Sequence, residues 1–280
     1  MLCAIPFTPV PGPRLLAQTQ ADKLKLLRAA VAIADNNQIS SLHILFPHEA
    51  ELQMLASSGL MIRTNVQFHW TNQGYTTMDH FLGSMNQKNR KKIRQSRRKL
   101  ADAGIEFEWY EGAGIDDVTL DFFYRCYQQT YLEHGNLPYL KPDFFYTLRD
   151  TLPASMTIIM ARQGRHAVAA ALNLRSASRL YGRYWGSMQF IPGLHFETCY
   201  MQGIEYSITR GLAAFEGGAQ GEHKLARGLL PVQTYSAHWV RDPMYAQAIE
   251  DFLNHEQNMV ADYVDVLEKH SPFRHTSGQD

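Results

Sequence analysis

The 280-residue chain predicts a mixed α/β fold of the α+β kind, a mixed sheet flanked by helices and divided into two lobes. Three observations carry this expectation. Strand-like alternation and helical periodicity take turns along the chain, and the pattern restarts after a dense basic stretch. A composition of 45% hydrophobic and 19% charged residues is that of a globular protein long enough for two modest lobes.

The first lobe is expected over 1–75. It opens with a strand over 2–7, followed by the turn-rich Thr8-Pro9-Val10-Pro11-Gly12-Pro13. No leader comes before that strand, so the expectation is that a preceding segment is absent or shortened. Leu24, Leu27, Ala30, Val31 and Ala34 recur at helical spacing and predict an amphipathic helix over 21–34. A strand over 41–46 stops at Pro47, a helix over 48–57 closes at Gly59, and 60–70 reads as a further strand.

A connector is expected over 76–104. Met78, Phe81, Leu82 and Met85 mark one face of a short helix. Lys88, Arg90, Lys91, Lys92, Arg94, Arg97, Arg98 and Lys99 then crowd a second helix that ends at Gly104. Like charges at this density repel, and Ile93 and Leu100 leave only a narrow apolar stripe, so this helix should lie across a surface. It is either a solvated helix or a seat for phosphates, which arginine holds bidentately.

The second lobe, 105–270, restarts with a strand over 105–110, helices over 120–133 and 142–152, and three strands between 156 and 186. A helix over 196–210, a short strand over 213–216, a strand over 232–241 and a long helix over 244–269 complete it. The segment from Ser271 onward reads as a polar tail.

The 27 basic and 27 acidic side chains cancel, so any affinity for nucleic acid or membrane must come from local clusters. Cys3, Cys126 and Cys199 are few, odd in number and widely spaced, as expected of reduced thiols in a cytoplasmic protein. No run approaches the roughly 20 apolar residues needed to cross a bilayer, so no membrane insertion is expected. The sequence leaves the oligomeric state open.

One stretch asks for more than packing. Arg183, His195, Glu197, Glu222, His223, Lys224 and Arg227 gather within about fifty residues, punctuated by Gly182, Gly186, Gly193, Gly217, Gly218 and Gly221. His195, Glu197, Glu222 and His223 are candidate catalytic groups, because imidazole and carboxylate can take a proton from an attacking amine. Lys224 and Arg227 could neutralise a phosphate or a developing oxyanion, or simply pair with Glu222. Arg183 and Trp185 end a predicted strand, where they would meet a substrate or, for Trp185, fill a core. Gln67, His69 and Asn72 form a polar edge suited to an acceptor, and Tyr235 and His238 complete the substrate-binding candidates. Lys88, Arg90, Arg94, Arg97 and Arg98 are the candidate phosphate or RNA contacts. No H-E-x-x-H or paired C-x-x-C supports a metal, and no cofactor is implied.

The order β, α, α, β, β, β, α, β of the second lobe is that of an acetyltransferase (GNAT) lobe. Residues 67–70 with Asn72 and Tyr75, the basic run 90–98, and the segments 181–186, 194–200 and 221–228 with Tyr235, Ser236 and His238 go further. Together they resemble the predicted N-acyltransferases described as FemAB-like or peptidoglycan biosynthesis/recognition proteins, which pair two GNAT-like lobes. The resemblance spans Pro6 to about Glu256 and departs at the front, where only a partial N-terminal lobe is present. It implies transfer of an acyl or aminoacyl group from an activated carrier, acyl-CoA or aminoacyl-tRNA, to an amine-bearing acceptor. The usual acetyl-CoA loop, Gln/Arg-x-x-Gly-x-Gly/Ala, does not occur in that form. A non-catalytic binder of RNA or of a phosphorylated cell-wall precursor is the rival reading, and a metal-dependent hydrolase a third.

Overall fold

Helix starts are written in the short polar residues that precede them. Thr19, Thr77, Asn86, Asp116 and Asp242 each have extended backbone and accept a hydrogen bond from an N–H two or three residues on. In a computed structural model, which describes residues 1–218 and 221–274, the elements follow in order. They are β1 (Leu2–Cys3), α1 (Gln20–Asn36), β2 (Ser41–Leu45), α2 (Leu52–Ser57), β3 (Met61–Thr71), α3 (Met78–Ser84) and α4 (Gln87–Asp102). Next come β4 (Ile105–Glu111), α5 (Asp117–Glu133), α6 (Pro142–Thr151), β5 (Met156–Gln163), β6 (His166–Arg175) and β7 (Arg179–Ser187). Then α7 (Leu194–Phe196) runs through a π-helical turn (Glu197–Met201) into α8 (Gln202–Thr209), before β8 (Ala214–Glu216), a 3-10 turn (Glu222–Arg227), β9 (Leu230–Val240) and α9 (Pro243–Lys269). No helix among the described residues is long and apolar enough to cross a membrane.

Two compact units divide the chain: 1–67 with 231–270, and 68–230 with 271 onward. The cut differs from the expected 1–75, 76–104 and 105–270. The basic helix belongs inside the second unit, and the last strand and helix cluster with the N-terminal segment. The cause is strand pairing, because β9 lies antiparallel to β2, from Ser41 opposite Val240 to Leu45 opposite Ser236.

In the first unit β1 adds to β2 in parallel, although only Leu2–Cys3 of the expected 2–7 strand pairs. Leu27, Leu42, Ile44, Leu55, Leu60 and Ala237 form its buried core. Arg63 holds Glu256 of α9 through two nitrogens at 2.6 and 2.8 Å.

In the second unit the sheet order runs from the end of β3 through β8, β7, β6 and β5 to β4. All neighbours are antiparallel except β7 and β8, which are parallel. The elements from β4 to β8 reproduce the β, α, α, β, β, β, α, β order of a GNAT-like lobe. Phe122, Phe123, Tyr127 and Phe145 of α5 and α6 pack on Ile158, Met160, Ala170 and Leu172 of the sheet. One glycine sets how closely α5 approaches: a Cβ at Gly186 of β7 would lie 1.9 Å from the Cys126 carbonyl oxygen. Thr130 Oγ1 donates to the Trp185 carbonyl at 2.9 Å beside it.

Candidate functional site

Parallel strands β7 and β8 pair only from Arg179–Ala214 to Tyr181–Glu216. Beyond that point β7 continues along β6 to Ser187 while β8 stops. The gap leaves Gly182 to Trp185 on one side and Gly217-Gly218 on the other, lining a cavity of about 580 Å³. Tyr127, Thr130 and Tyr131 of α5 supply another wall, and His195, Cys199 and Tyr200 a third. The π turn Glu197–Met201 inserts an extra residue into the helix, which sets the direction of the side chains on this wall.

The His195 ring lies tilted against Trp185, with ring centroids 5.0 Å apart, and has Tyr200 and His223 at 5.6 and 6.5 Å. Tyr200 Oη and His223 Nε2 lie within hydrogen-bond distance, 3.1 Å. Gly221 makes room for that imidazole: its φ is +110°, and a Cβ there would fall 2.2 Å from His223 Cε1. Burial lowers His195 to about 4, assisted by His223, Arg227 and Lys224. His223 is lowered as well, by burial and then by Arg227 and Lys224. Both imidazoles are therefore proton acceptors at neutral pH.

Lys224 is 2% exposed. Its Nζ donates to the Gly218 carbonyl at 2.8 Å and stands 5.8 Å from the Tyr200 ring centre. Burial brings its ammonium down to about 8. Arg227 lies over the Phe196 ring at 3.5 Å and donates to the His223 carbonyl at 2.6 Å. Arg183 lines the cavity with its guanidinium 5.4 Å from the Tyr184 ring centre.

The other sequence candidates are placed differently. Glu197, two residues from His195, faces another side of the helix. It is 3% exposed, pairs with Arg97 at 3.0 Å and accepts from Gln202 Nε2 at 2.9 Å, beside a smaller cavity of about 180 Å³. Burial pushes the Glu197 carboxyl up, while Arg97 and Gln202 pull it back. Glu222 is exposed and absent from the walls of the large cavity. Within the basic run, Arg97 also holds Glu205 and Arg94 holds Asp79, whereas Lys88 and Arg98 are exposed and Arg90 half-buried.

His69 is buried opposite Glu216, with Nε2 and Oε2 3.8 Å apart, and burial with Arg179 and Lys224 lowers it to about 4. Asn72 closes a turn, its Oδ1 accepting from Tyr75 N at 2.7 Å. Gln67, Tyr235 and His238 belong to the first unit. There Gln67 donates to the Pro9 carbonyl and Tyr235 to Gln233. His238 Nδ1 meets His43 Nδ1 at 2.7 Å, and its Nε2 meets Ser236 Oγ at 2.8 Å.

Sequence reasoning missed Tyr127, Tyr131, Tyr184, Cys199 and Tyr200 as cavity walls. Tyr127 and Tyr131 stand four apart on a helix, a spacing that reads equally as core. The glycine pair 217–218 was the available signal, since two glycines after a buried strand leave space where side chains would stand.

The chain belongs to the FemAB-like family, described as peptidoglycan biosynthesis/recognition, whose model matches residues 1–275. Among solved structures, it is similar to the C-terminal domain of a putative lysylphosphatidylglycerol synthetase from Agrobacterium fabrum. The TM-score is 0.59 at 13% identity, over 85% of this chain and 78% of that one. The L-PGS of Bacillus licheniformis gives 0.59 at 11% identity over 82% and 77%. FemX gives 0.55 at 14% identity over 88% and 85%. No curated protein matches the chain.

Proposed function

We propose that this FemAB-like protein transfers an acyl or aminoacyl group from an activated carrier to an amine. The observation that carries the reading is a neutral imidazole, His195, and the cation Arg183 on the walls of the space where β7 and β8 part, with Lys224 bonded to the Gly218 carbonyl of that wall and neither cation paired with a carboxylate among the described residues. An amine must be deprotonated as it attacks, and the carbonyl it attacks develops negative charge. Both demands match groups present: His195 with His223 for the proton, Lys224 with Arg183 for the oxyanion.

In the proposed step the amine nitrogen bonds to the carbonyl carbon of the carrier ester or thioester. The amine proton passes to His195, and the carbonyl oxygen becomes an oxyanion. Collapse breaks the bond to the carrier, whose alkoxide or thiolate takes a proton as it leaves. Tyr200, hydrogen-bonded to His223, stands where a proton can be handed on. Glu197 acts as an anchor for Arg97, and Glu222 has no step.

The carrier is proposed to be an aminoacyl-tRNA or acyl-CoA, its phosphates meeting the exposed Lys88 and Arg98 and the half-buried Arg90 of α4, with Arg94 and Arg97 already committed to carboxylates. The family description, peptidoglycan biosynthesis, supports a cell-wall precursor as the source of the amine.

The test is a transfer assay with purified chain, aminoacyl-tRNA or acyl-CoA, and an amine-bearing precursor. His195→Ala should lower kcat by about 10²- to 10⁴-fold, the span of a lost general base. Binding of carrier or precursor without transfer, in a folded protein and with every donor, would replace this reading with that of a binder.

A further inference from the structure

A second face of the 68–230 unit carries cations and apolar side chains together. A groove of about 400 Å³ runs between α5 and the β5–β6 turn, floored by Phe122 and Met160 and edged by Val118, Arg125, Arg165 and Met188. None of its residues lines the cavity where β7 and β8 part. Arg165 stands on the turn Gly164-Arg165, and the chain leaving β7 joins the same rim. There Met188 N donates to the Val168 carbonyl at 2.9 Å and Gln189 Nε2 to Gln163 Oε1 at 3.4 Å. Phe190, next along this segment, is 91% exposed, with Val118 at 75% and Met188 at 48%.

The charge on this face is one-sided. Arg125 lies over the Phe122 ring at 5.4 Å, and neither it nor Arg165 pairs with a carboxylate among the described residues. Acids close in sequence are already engaged: Glu108 with Arg162, Asp117 with Arg149, Asp121 with the Tyr146 hydroxyl, and Asp116 at the start of α5. No aspartate or glutamate lines the groove among the described residues. Single exposed apolar side chains need no explanation, but three of them around two unpaired arginines form a patch that water suits poorly. A small anion in the groove would satisfy the arginines and leave Phe190, which is not one of its walls, in water. A protein partner would have to match a helix, a turn and a loop in shape as well as charge. A fluid anionic headgroup layer needs no such match, and it takes arginine at its phosphates and aromatic rings just beneath.

We propose that this face is a peripheral membrane contact. It settles on an anionic phospholipid surface, with Phe190 and Met188 in the headgroup layer and Arg125 and Arg165 at lipid phosphates. No helix among the described residues is long and apolar enough to span a bilayer, and a contact of this kind needs none. Attachment is reversible and weakened by salt, as follows from two cations and a few apolar side chains. The contact is independent of the transfer reaction, whose proposed groups His195, Arg183 and Lys224 are not among the groove residues.

The experiment is sedimentation of the full chain with vesicles, without carrier or acceptor. Vesicles of phosphatidylglycerol and phosphatidylcholine in equal parts should bind it, phosphatidylcholine alone should not, and added salt should weaken the binding. Phe190→Ser should lower the partition by about tenfold, as expected of an aromatic side chain withdrawn from the interface. Arg125→Gln and Arg165→Gln, made separately, should each lower it by about fivefold, the share of one cation at an anionic surface. Thermal transitions check that the variants fold. Phe190→Trp gives a direct measure, since brominated phosphatidylglycerol should quench its fluorescence more than that of the unsubstituted chain. Equal binding to both kinds of vesicle, binding to neither, or no added quenching in Phe190→Trp would overturn the proposal. So would loss of binding in Lys88→Gln or Arg98→Gln while the groove variants bind as before, which assigns the lipid affinity to α4. Release from vesicles by inorganic phosphate would give the arginines to a free anion, and capture by polyglutamate with none by vesicles would give the face to an acidic protein; either result overturns the membrane contact. Transfer in the assay above without vesicle binding sinks only this contact, and vesicle binding without transfer sinks only the transferase reading.

Discussion

A buried histidine is neutral because water, not protein, is the better solvent for its charge, and three histidines here are lowered to about 4: His69, His195 and His238. Between pH 4 and 6.5 the unfolded chain therefore binds more protons than the folded one at these positions, so stability rises with pH across that window and is lost on acidification. His69→Gln should remove about 2 to 3 kcal/mol of that loss, since each pKa unit corresponds to about 1.4 kcal/mol. Urea titrations of both proteins at pH 6.5 and pH 4 measure it, and an unchanged difference between the two pH values would refute the account of His69. Lys224 works at the other end. With its ammonium brought down to about 8, the cation is present at pH 7 and lost as pH rises through 8. The kcat/KM profile should fall on that alkaline side, and Lys224→Met should be slower by about 10²-fold and lack the limb.

At the scale of elements, the basic helix α4 divides into two kinds of cation that its sequence presents alike. Arg97 is the anchor, holding Glu197 and Glu205 of the neighbouring helix. Arg98, its neighbour in sequence, is exposed. Arg97→Ala leaves Glu197 buried without its cation and should cost about 3 kcal/mol, as the loss of one partner of a buried pair does. Arg98→Ala should change stability by less than about 0.5 kcal/mol and, if the proposed carrier is an aminoacyl-tRNA, lower the salt dependence of its binding. Equal destabilisation by both variants in chemical denaturation would contradict the division. The amphipathic stripe of Ile93 and Leu100 made the helix itself legible, and both residues are indeed buried. What the run of charges could not reveal was which arginine meets an acid from 108 residues away. The same limit applies to His195 and Glu197: their closeness in sequence suggested one site, whereas the angle between successive helical positions sends them to different surroundings. Gly186 belongs here too, since Gly186→Ala must push α5 off β7 and should cost about 3 kcal/mol in a thermal or urea transition.

For the whole molecule, periodicity made most elements readable, from α1 to α9, together with the GNAT-like order from β4 to β8. The division into units was not readable, because it depends on β9 returning to β2, a pairing whose histidine contact joins residues 195 positions apart. Nothing local distinguishes a strand that extends its own unit from one that completes another. The pairing has a consequence that can be measured. Ending the chain after residue 230 removes Ala237 from the first unit's core, the antiparallel neighbour of β2, the partner of His43 and the ion pair of Arg63 with Glu256. What remains beside β2 is the two-residue β1, too little to hold a sheet. In hydrogen exchange, amides of 20–60 should lose protection in the truncated chain. Those of β5, β6 and β7, whose partners all lie between residues 105 and 216, should keep theirs. Retained protection in α1 and β2 would show that 1–67 folds without its returning strand, and the unit as drawn here would then be wrong.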